Sequence, residues 1–412
     1  MKRKIALAVL CGIAAPAVAW FIAESTGWFD IGDTGTFSSE GVGGDFQSAG
    51  ESAGELLRDA RQRLGLVGLS AAVSIDGQVV WAGAAGWAEL GETPRGMSPQ
   101  TSFRIGSSSK AVTATLLARL VDRGIIDLDA PISNYMTQLP NPAWARLTSR
   151  QLASHTAGLP EYSENRDFWG LYESLALQRH FPDVTDGLQV FDDTSLLSEP
   201  GEKFHYTSFD VNLLAAVMQS AGKKPYLELL DEEVLTPLHM NDTGGDQVYR
   251  HPDRVAVFYE VRGHLAKAWR DVDLSQKWPS GGLLATSSDL ARLCGGWFDT
   301  HYLSPSTVAK FWEPQRLKSG EINEQGYALG WRAQPRSKAI SPEHPTPRYH
   351  HGGVSKGAMS WLVCYPEARL GVALNINSLL GEFNDLADVE PPISRLFFNL
   401  ARTAHATPPA AP

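Results

Sequence analysis

The chain has 412 residues, 43% of them hydrophobic and 20% charged, with a formal net charge of −10. That composition belongs to a globular protein with a full core, of a length for one large or two ordinary domains. The acidic balance excludes a nucleic-acid-binding surface and any strong overall attraction to anionic lipid, and leaves the substrate open.

The N-terminus reads as an export segment. Lys2, Arg3 and Lys4 precede an uncharged, largely apolar run from Ile5 to Ala23, about 19 residues long and interrupted by Pro16. Its length is near the minimum for a bilayer span. Ala17-Val18-Ala19 offers an A-x-A cleavage site. Residues 1–23 are therefore a cleaved signal peptide or an uncleaved membrane anchor. Either way the basic flank stays inside and the main domain is exported, periplasmic or extracellular. Residues 24–53, rich in Gly, Ser, Thr, Asp and Glu, read as a flexible tether. A main domain is expected over 54–403, with a disordered tail at 404–412.

A short helix is predicted from Glu55 to Leu64. Ala71, Val73 and Ile75 then alternate up to Asp76-Gly77, and Val79-Val80-Trp81 resume the apolar run, which is a hairpin signal. Val112, Leu116 and Leu120 repeat every four residues, with Leu117 and Val121 beside them and Gly124 as a stop. That is an amphipathic helix beginning near Ser107. From about 125 to 330 the chain reads as helices, turns and long loops, with Val211–Gln219 and Ser288–Leu293 the clearer helical pieces. Ser360–Tyr365 and Leu370–Ile376 have strand character, and Ile393, Leu396, Phe397 and Leu400 have the spacing of a last helix. Strands at both ends around a helical middle predict one sheet built from both chain ends, with a helical insertion.

The chemistry begins at Ser107-Ser108-Ser109-Lys110. A lysine one turn after a serine lies on the same helix face, where its amine can take the hydroxyl proton and make a nucleophile. This S-x-x-K spacing is one solution for acyl transfer. It is weak alone, because Ser220-Ala221-Gly222-Lys223 also fits; the second match reads as a helix end.

The surrounding segment, Phe103-Arg104-Ile105-Gly106-Ser107-Ser108-Ser109-Lys110, resembles the nucleophile segment of the serine β-lactamase-related family. That family includes class C β-lactamases, D-Ala-D-Ala carboxypeptidases and family VIII esterases. Further segments resemble it in order: Gln151 to Pro160 (LLSHTSGLP-like), Pro200 to Ser208 (PGxxFxYS-like) and Gly281 to Leu290 (GGLxSTxxDL-like). The wording of the Pro200 segment, and Tyr327 to Trp331, lean toward the family's mitochondrial-type branch. The resemblance implies an α+β, β-lactamase/transpeptidase-like fold: an antiparallel sheet from both chain ends, flanking helices and an inserted, mainly helical subdomain. It implies Ser107 as nucleophile, Lys110 as base and Tyr206 as proton shuttle. Ser208 stands where Asn is commonest and is expected to orient Lys110 or a substrate amide. His350-His351-Gly352-Gly353 replaces the K-T-G strand. The family's H-x-G motif usually carries another glycine six positions after its histidine, and Gly357 meets that condition from His351, so the resemblance implies the register His351-Gly352-Gly353. His351 and Gly353 are thus expected against substrate, with the Val354 N–H joining that of Ser107 as an oxyanion hole.

His155 belongs to a segment read as structural, and Trp278 and Trp331 are expected in the core. No metal is expected at the paired histidines, because no acidic or Cys ligands lie at metal spacing. No cofactor is implied. Cys294 and Cys364 are a disulfide or two separate buried thiols. The expected partner is a small-molecule or peptide substrate with an amide or ester bond. The competing reading is a binding or structural member that keeps the fold without catalysis.

Overall fold

The computed structural model describes residues 26–32 and 35–406. The expected signal or anchor at 1–23 and the end of the expected tail lie outside them. Along the chain come β1 (Trp28–Asp30), β2 (Phe37–Gly41), α1 (Gln47–Arg63), β3 (Gly68–Ile75), β4 (Gln78–Glu89), β5 (Arg95–Gly96), β6 (Phe103–Arg104), α2 (Ser109–Asp122), α3 (Phe168–Ala176) and α4 (Ser208–Gly222). After these follow β7 (Thr243–Gly245), β8 (Tyr259–Arg262), β9 (Leu265–Ala268), β10 (Leu283–Ala285), α5 (Ser287–Phe298), β11 (Arg332–Ser337), β12 (Thr346–Ser355), β13 (Ala358–Tyr365), β14 (Leu370–Ile376), α6 (Phe383–Ala387) and α7 (Glu390–Ala406).

The main sheet runs β11-β12-β13-β14-β3-β4-β2, with β5 on β4, and every pairing is antiparallel. The β14–β3 pairing joins the two chain ends, as the strand pattern predicts. At the β3–β4 turn Asp76 and Gly77 both have positive φ, 51° and 75°, the geometry for which Asp-Gly is favoured. All residues of β3, β13 and β14 are buried, because helices cover both sheet faces. The alternation of side chains sorts them. Leu69, Ala71, Val73, Val372 and Leu374 pack with α1 and α7, whereas Ala72, Leu362 and Ala373 join the core of α2, α4 and α5.

Two expectations need correction. Much of the stretch read as a tether is folded: β1 pairs with β9, β2 pairs with β4, and α1 begins at Gln47 rather than Glu55. Its small residues are a packing face, not a sign of flexibility. A Cβ on Gly50 would lie 2.8 Å from the Trp81 ring, and one on Gly54 would lie 2.8 Å from the Phe37 ring. The helical middle also holds strands, in two three-stranded sheets ordered β1-β9-β8 and β6-β10-β7. Their strands within this stretch are three or four residues long, too short to show a period of two.

Cys294 of α5 and Cys364 of β13 form a disulfide across 5.5 Å between Cα atoms, so of the two readings left open the paired one holds. The bridge closes a span of 70 residues. Replacing both cysteines by serine is expected to lower unfolding free energy by about 2–4 kcal/mol. Urea denaturation under non-reducing conditions measures it.

Candidate active site

Ser107 lies in the single 3₁₀ turn Gly106–Ser108 that leads into α2. Two glycines let β12 lie directly against this turn. Gly106 has φ +50°, and a Cβ there would sit 2.5 Å from Val354 O. A Cβ on Gly353 would sit 1.9 Å from Ile105 O and 2.9 Å from Ser107 N. Gly353→Ala is therefore expected to push β12 off the turn and to lower kcat/KM by about 10²-fold, the scale of a 1 Å misplacement. Steady-state kinetics on a protein of unchanged far-UV circular dichroism checks it.

Lys110, the second residue of α2 and one turn after Ser107, is 1% exposed. Its Nζ lies 3.3 Å from Ser107 Oγ, 3.2 Å from Ser208 Oγ and 2.8 Å from Ser280 O. Burial pushes its amine below the ordinary lysine value; Tyr206 pulls it partly back and the Arg332 cation adds to the depression. An amine of this kind spends more time neutral and so has a lone pair for the Ser107 proton.

Tyr206 is half-buried two residues before α4. Lys110 Nζ lies 4.9 Å, and Arg332 Cζ 5.2 Å, from the centre of its ring. Burial works to raise the phenol, but Lys110, Arg332 and hydrogen bonding with Ser107 and Lys110 outweigh it and hold it below the usual tyrosine value. Thr207 caps α4 by accepting from Phe209 N, which fixes Ser208 as the first helical residue with its hydroxyl on Lys110. Ser107, Lys110, Tyr206 and Ser208 thus converge from two helix N-termini.

Behind Tyr206 stands His155, fully buried at φ +58°, its ring centre 4.4 Å from that of Tyr206. Its Nδ1 lies 3.1 Å from Asp210 Oδ2. Burial pushes the Asp210 carboxyl well up and the His155 imidazole well down, which disfavours the charged form of each. His155 packs against the site and lines none of the cleft.

The β12 residues divide. Gly353 and the Val354 backbone lie on the nucleophile turn, while the Val354 side chain is 54% exposed. The His351 ring is not where the sequence reading put it. It is fully buried, accepting from Tyr327 Oη (3.0 Å) at Nε2 and donating from Nδ1 to Gly352 O (2.7 Å). Burial, aided by Arg332 and Lys110, pushes it well below the ordinary histidine value. It braces β12 from behind and does not face the cleft. Strand alternation puts His350 on the cleft wall instead, against Trp361 with ring centres 4.7 Å apart.

The cleft has a volume of about 1120 Å³ and is lined by Ser107, Tyr206, Arg332, His350, Trp361 and Phe383 among others. Among the described residues lining it, Arg332, Arg336, Lys338 and Arg348 supply four cations and Asp388 the one acid. Arg348 is partly neutralised by Glu390 at 3.5 Å. Arg332 instead donates to the neutral Gln325 Oε1 at 2.9 Å and stacks over Tyr206 and Tyr327. Sequence reading missed Arg332, although it directly follows the Tyr327-to-Trp331 segment. Trp278 and Trp331 are in the core, as expected. Among the described residues no three His, Cys, Asp or Glu side chains cluster at metal distance.

A family model described as Beta-lactamase matches residues 54–390. The human mitochondrial serine beta-lactamase-like protein LACTB is 26% identical over 402 residues, covering 78% of this chain and 73% of the relative. D-amino acid amidase from Ochrobactrum anthropi SV3 has a similar structure, with a TM-score of 0.69 at 22% identity, covering 88% of this chain and all of that one. EstCE1, a hydrolase with promiscuous acyltransferase activity, aligns at TM-score 0.65 and 20% identity, covering 86% of this chain and all of that one. These likenesses establish a β-lactamase/transpeptidase-like fold, the α+β class expected.

Proposed function

Because this chain belongs to the Beta-lactamase family, we propose that it is a serine hydrolase that cleaves an amide or ester through an acyl-enzyme on Ser107. The observation that carries this reading is the buried Lys110 amine 3.3 Å from the Ser107 hydroxyl, at the wall of a large cleft. Lys110 takes the Ser107 proton as Oγ bonds to the substrate carbonyl carbon. The N–H groups of Ser107 and Val354 hold the negative oxygen, helped by the positive end of α2. The Tyr206 hydroxyl, exchanging its proton with Lys110, protonates the departing nitrogen or oxygen as the carbonyl bond to it breaks. Water then adds to the ester of Ser107, giving up its proton to the same pair, and the acid leaves as Ser107 recovers its hydrogen.

The cleft's charge supports a substrate with a carboxylate. In the family's K-T-G enzymes the strand lysine commonly attracts that group; here the corresponding His351 is neutral and enclosed. Arg332, which lines the cleft beside Tyr206, is the side chain we assign to that carboxylate. We therefore rank a peptidase or esterase above an efficient β-lactamase.

Intact-protein mass spectrometry with a p-nitrophenyl ester, a D-Ala-D-Ala peptide and a chromogenic cephalosporin tests both statements. The expected result is an acyl adduct that disappears in Ser107→Ala, with ester or peptide turned over faster than cephalosporin. Dominant cephalosporin turnover overturns the ranking. Absence of any Ser107-dependent adduct, also with a fluorophosphonate, favours the non-catalytic binding reading.

A further inference from the structure

Helix α3 carries its apolar side chains outward. Phe168, Trp169, Tyr172 and Leu175 are 70%, 69%, 52% and 60% exposed. Their spacing gathers them on one face, and the rings touch: Phe168 and Trp169 are 5.4 Å apart between centres, Trp169 and Tyr172 6.3 Å. Gly170 and Ser174 are the residues turned inward. A surface helix ordinarily buries its apolar stripe, so this one is inverted, and a contiguous exposed stripe of this kind marks a partner surface.

What lies beside the stripe identifies the partner. The first described strand, β1, pairs with β9, with Trp28 opposite Lys267. Three residues further on, Arg270 donates to the carbonyls of Leu175 (3.2 Å) and Ala176 (2.9 Å) at the end of α3. The point where the chain enters the fold is therefore tied to the stripe by a few residues, a separation on the order of 20 Å at most. The sequence before that point holds the uncharged apolar run from Ile5 to Ala23. Aromatic and basic groups gather at the same place. Lys267 lies 5.8 Å from the Trp28 ring, as does Arg262 at 4.7 Å, although the latter is ion-paired with Glu260 at 2.7 Å; Phe29 is exposed, and Arg179 and Arg270 flank the end of α3.

We propose that α3 rests in the interface of a bilayer containing anionic lipid, beside the point where the N-terminal apolar segment enters that bilayer. Tryptophan, tyrosine and arginine are the residues that settle at headgroup depth. A nine-residue helix alone is too small an anchor, and stable attachment takes two signals; the N-terminal segment supplies the second. The cations favour anionic headgroups locally, while the net charge of −10 turns the rest of the surface away. The domain is thereby held in one orientation on the membrane instead of tumbling on a leash.

The test uses the full chain with Cys11→Ser and Leu175→Cys, labelled with pyrene maleimide. Cys294 and Cys364 are joined and buried, so the label goes to position 175. The protein is reconstituted into phosphatidylcholine–phosphatidylglycerol vesicles with and without brominated acyl chains. The expected result is a loss of pyrene monomer emission in the brominated vesicles. Adding Phe168→Ser and Trp169→Ser should diminish that loss and leave ester turnover unchanged. Equal emission in both vesicles overturns the proposal. Excimer emission without bromolipid quenching overturns it in favour of a second copy covering the stripe.

Discussion

Ser107→Ala is expected to abolish the acyl adduct and to lower turnover by on the order of 10⁴-fold or more, with Lys110→Ala falling nearly as far and the double variant no further. Non-additivity is the informative part, because nucleophile and base act as a unit. Lys110→Arg separates charge from chemistry: its guanidinium never gives up its proton in water, so it is expected to be as inactive as alanine. The pH profile follows from the same burial. Lys110 must be neutral to act, so kcat/KM should fall as pH drops through its lowered value, an acid limb below the ordinary lysine range. Stability changes in the same direction with pH. The unfolded chain binds the Lys110 proton more tightly than the folded one, so between the folded and unfolded values stability rises with pH. Below the folded value the cost of enclosing this charge is fully present. A stopped assay over a pH series reads the first effect and urea denaturation over the same series the second, with wild type and Lys110→Arg side by side.

The sequence made the nucleophile pair visible because its geometry is local: a three-residue separation at a helix start determines the contact. Tyr206 and Ser208 became visible through their segment, and α4's N-cap explains why they arrive together. Arg332 was illegible for the opposite reason. Its position depends on β11 pairing with β12, where Arg332 stands opposite His350, and no spacing in the chain announces that. The paired histidines show how far a motif carries. The chosen register puts Gly353 and Val354 on the nucleophile turn, but strand alternation sends the His351 ring inward to Tyr327 and gives the cleft His350. The misread tether has a different cause. Gly50 and Gly54 are small because Trp81 and Phe37 occupy the space where a Cβ would go, a fact that composition records as flexibility.

Arg332→Ala is expected to act through two routes that one pair of substrates separates. Removing the guanidinium takes away a cation 5.2 Å from the centre of the Tyr206 ring, so the phenol should rise toward its usual value. That change affects proton delivery to any leaving group, and it should lower kcat for a neutral ester and for its carboxylate-bearing analogue alike. The second route touches only the anion. A hydrogen bond to a charged group is worth about 1.5–3 kcal/mol, so the carboxylate substrate should lose roughly a further 10- to 150-fold in kcat/KM. Arg332→Glu should go beyond this, because it repels the carboxylate and at the same time raises Lys110 by removing one neighbouring cation and adding an anion. Its acid limb should therefore move to higher pH. Equal losses for both substrates in Arg332→Ala, with no selectivity change in Arg332→Glu, would reduce Arg332 to an electrostatic neighbour of Tyr206 and move carboxylate recognition to Arg336, Lys338 or Arg348 further along the cleft.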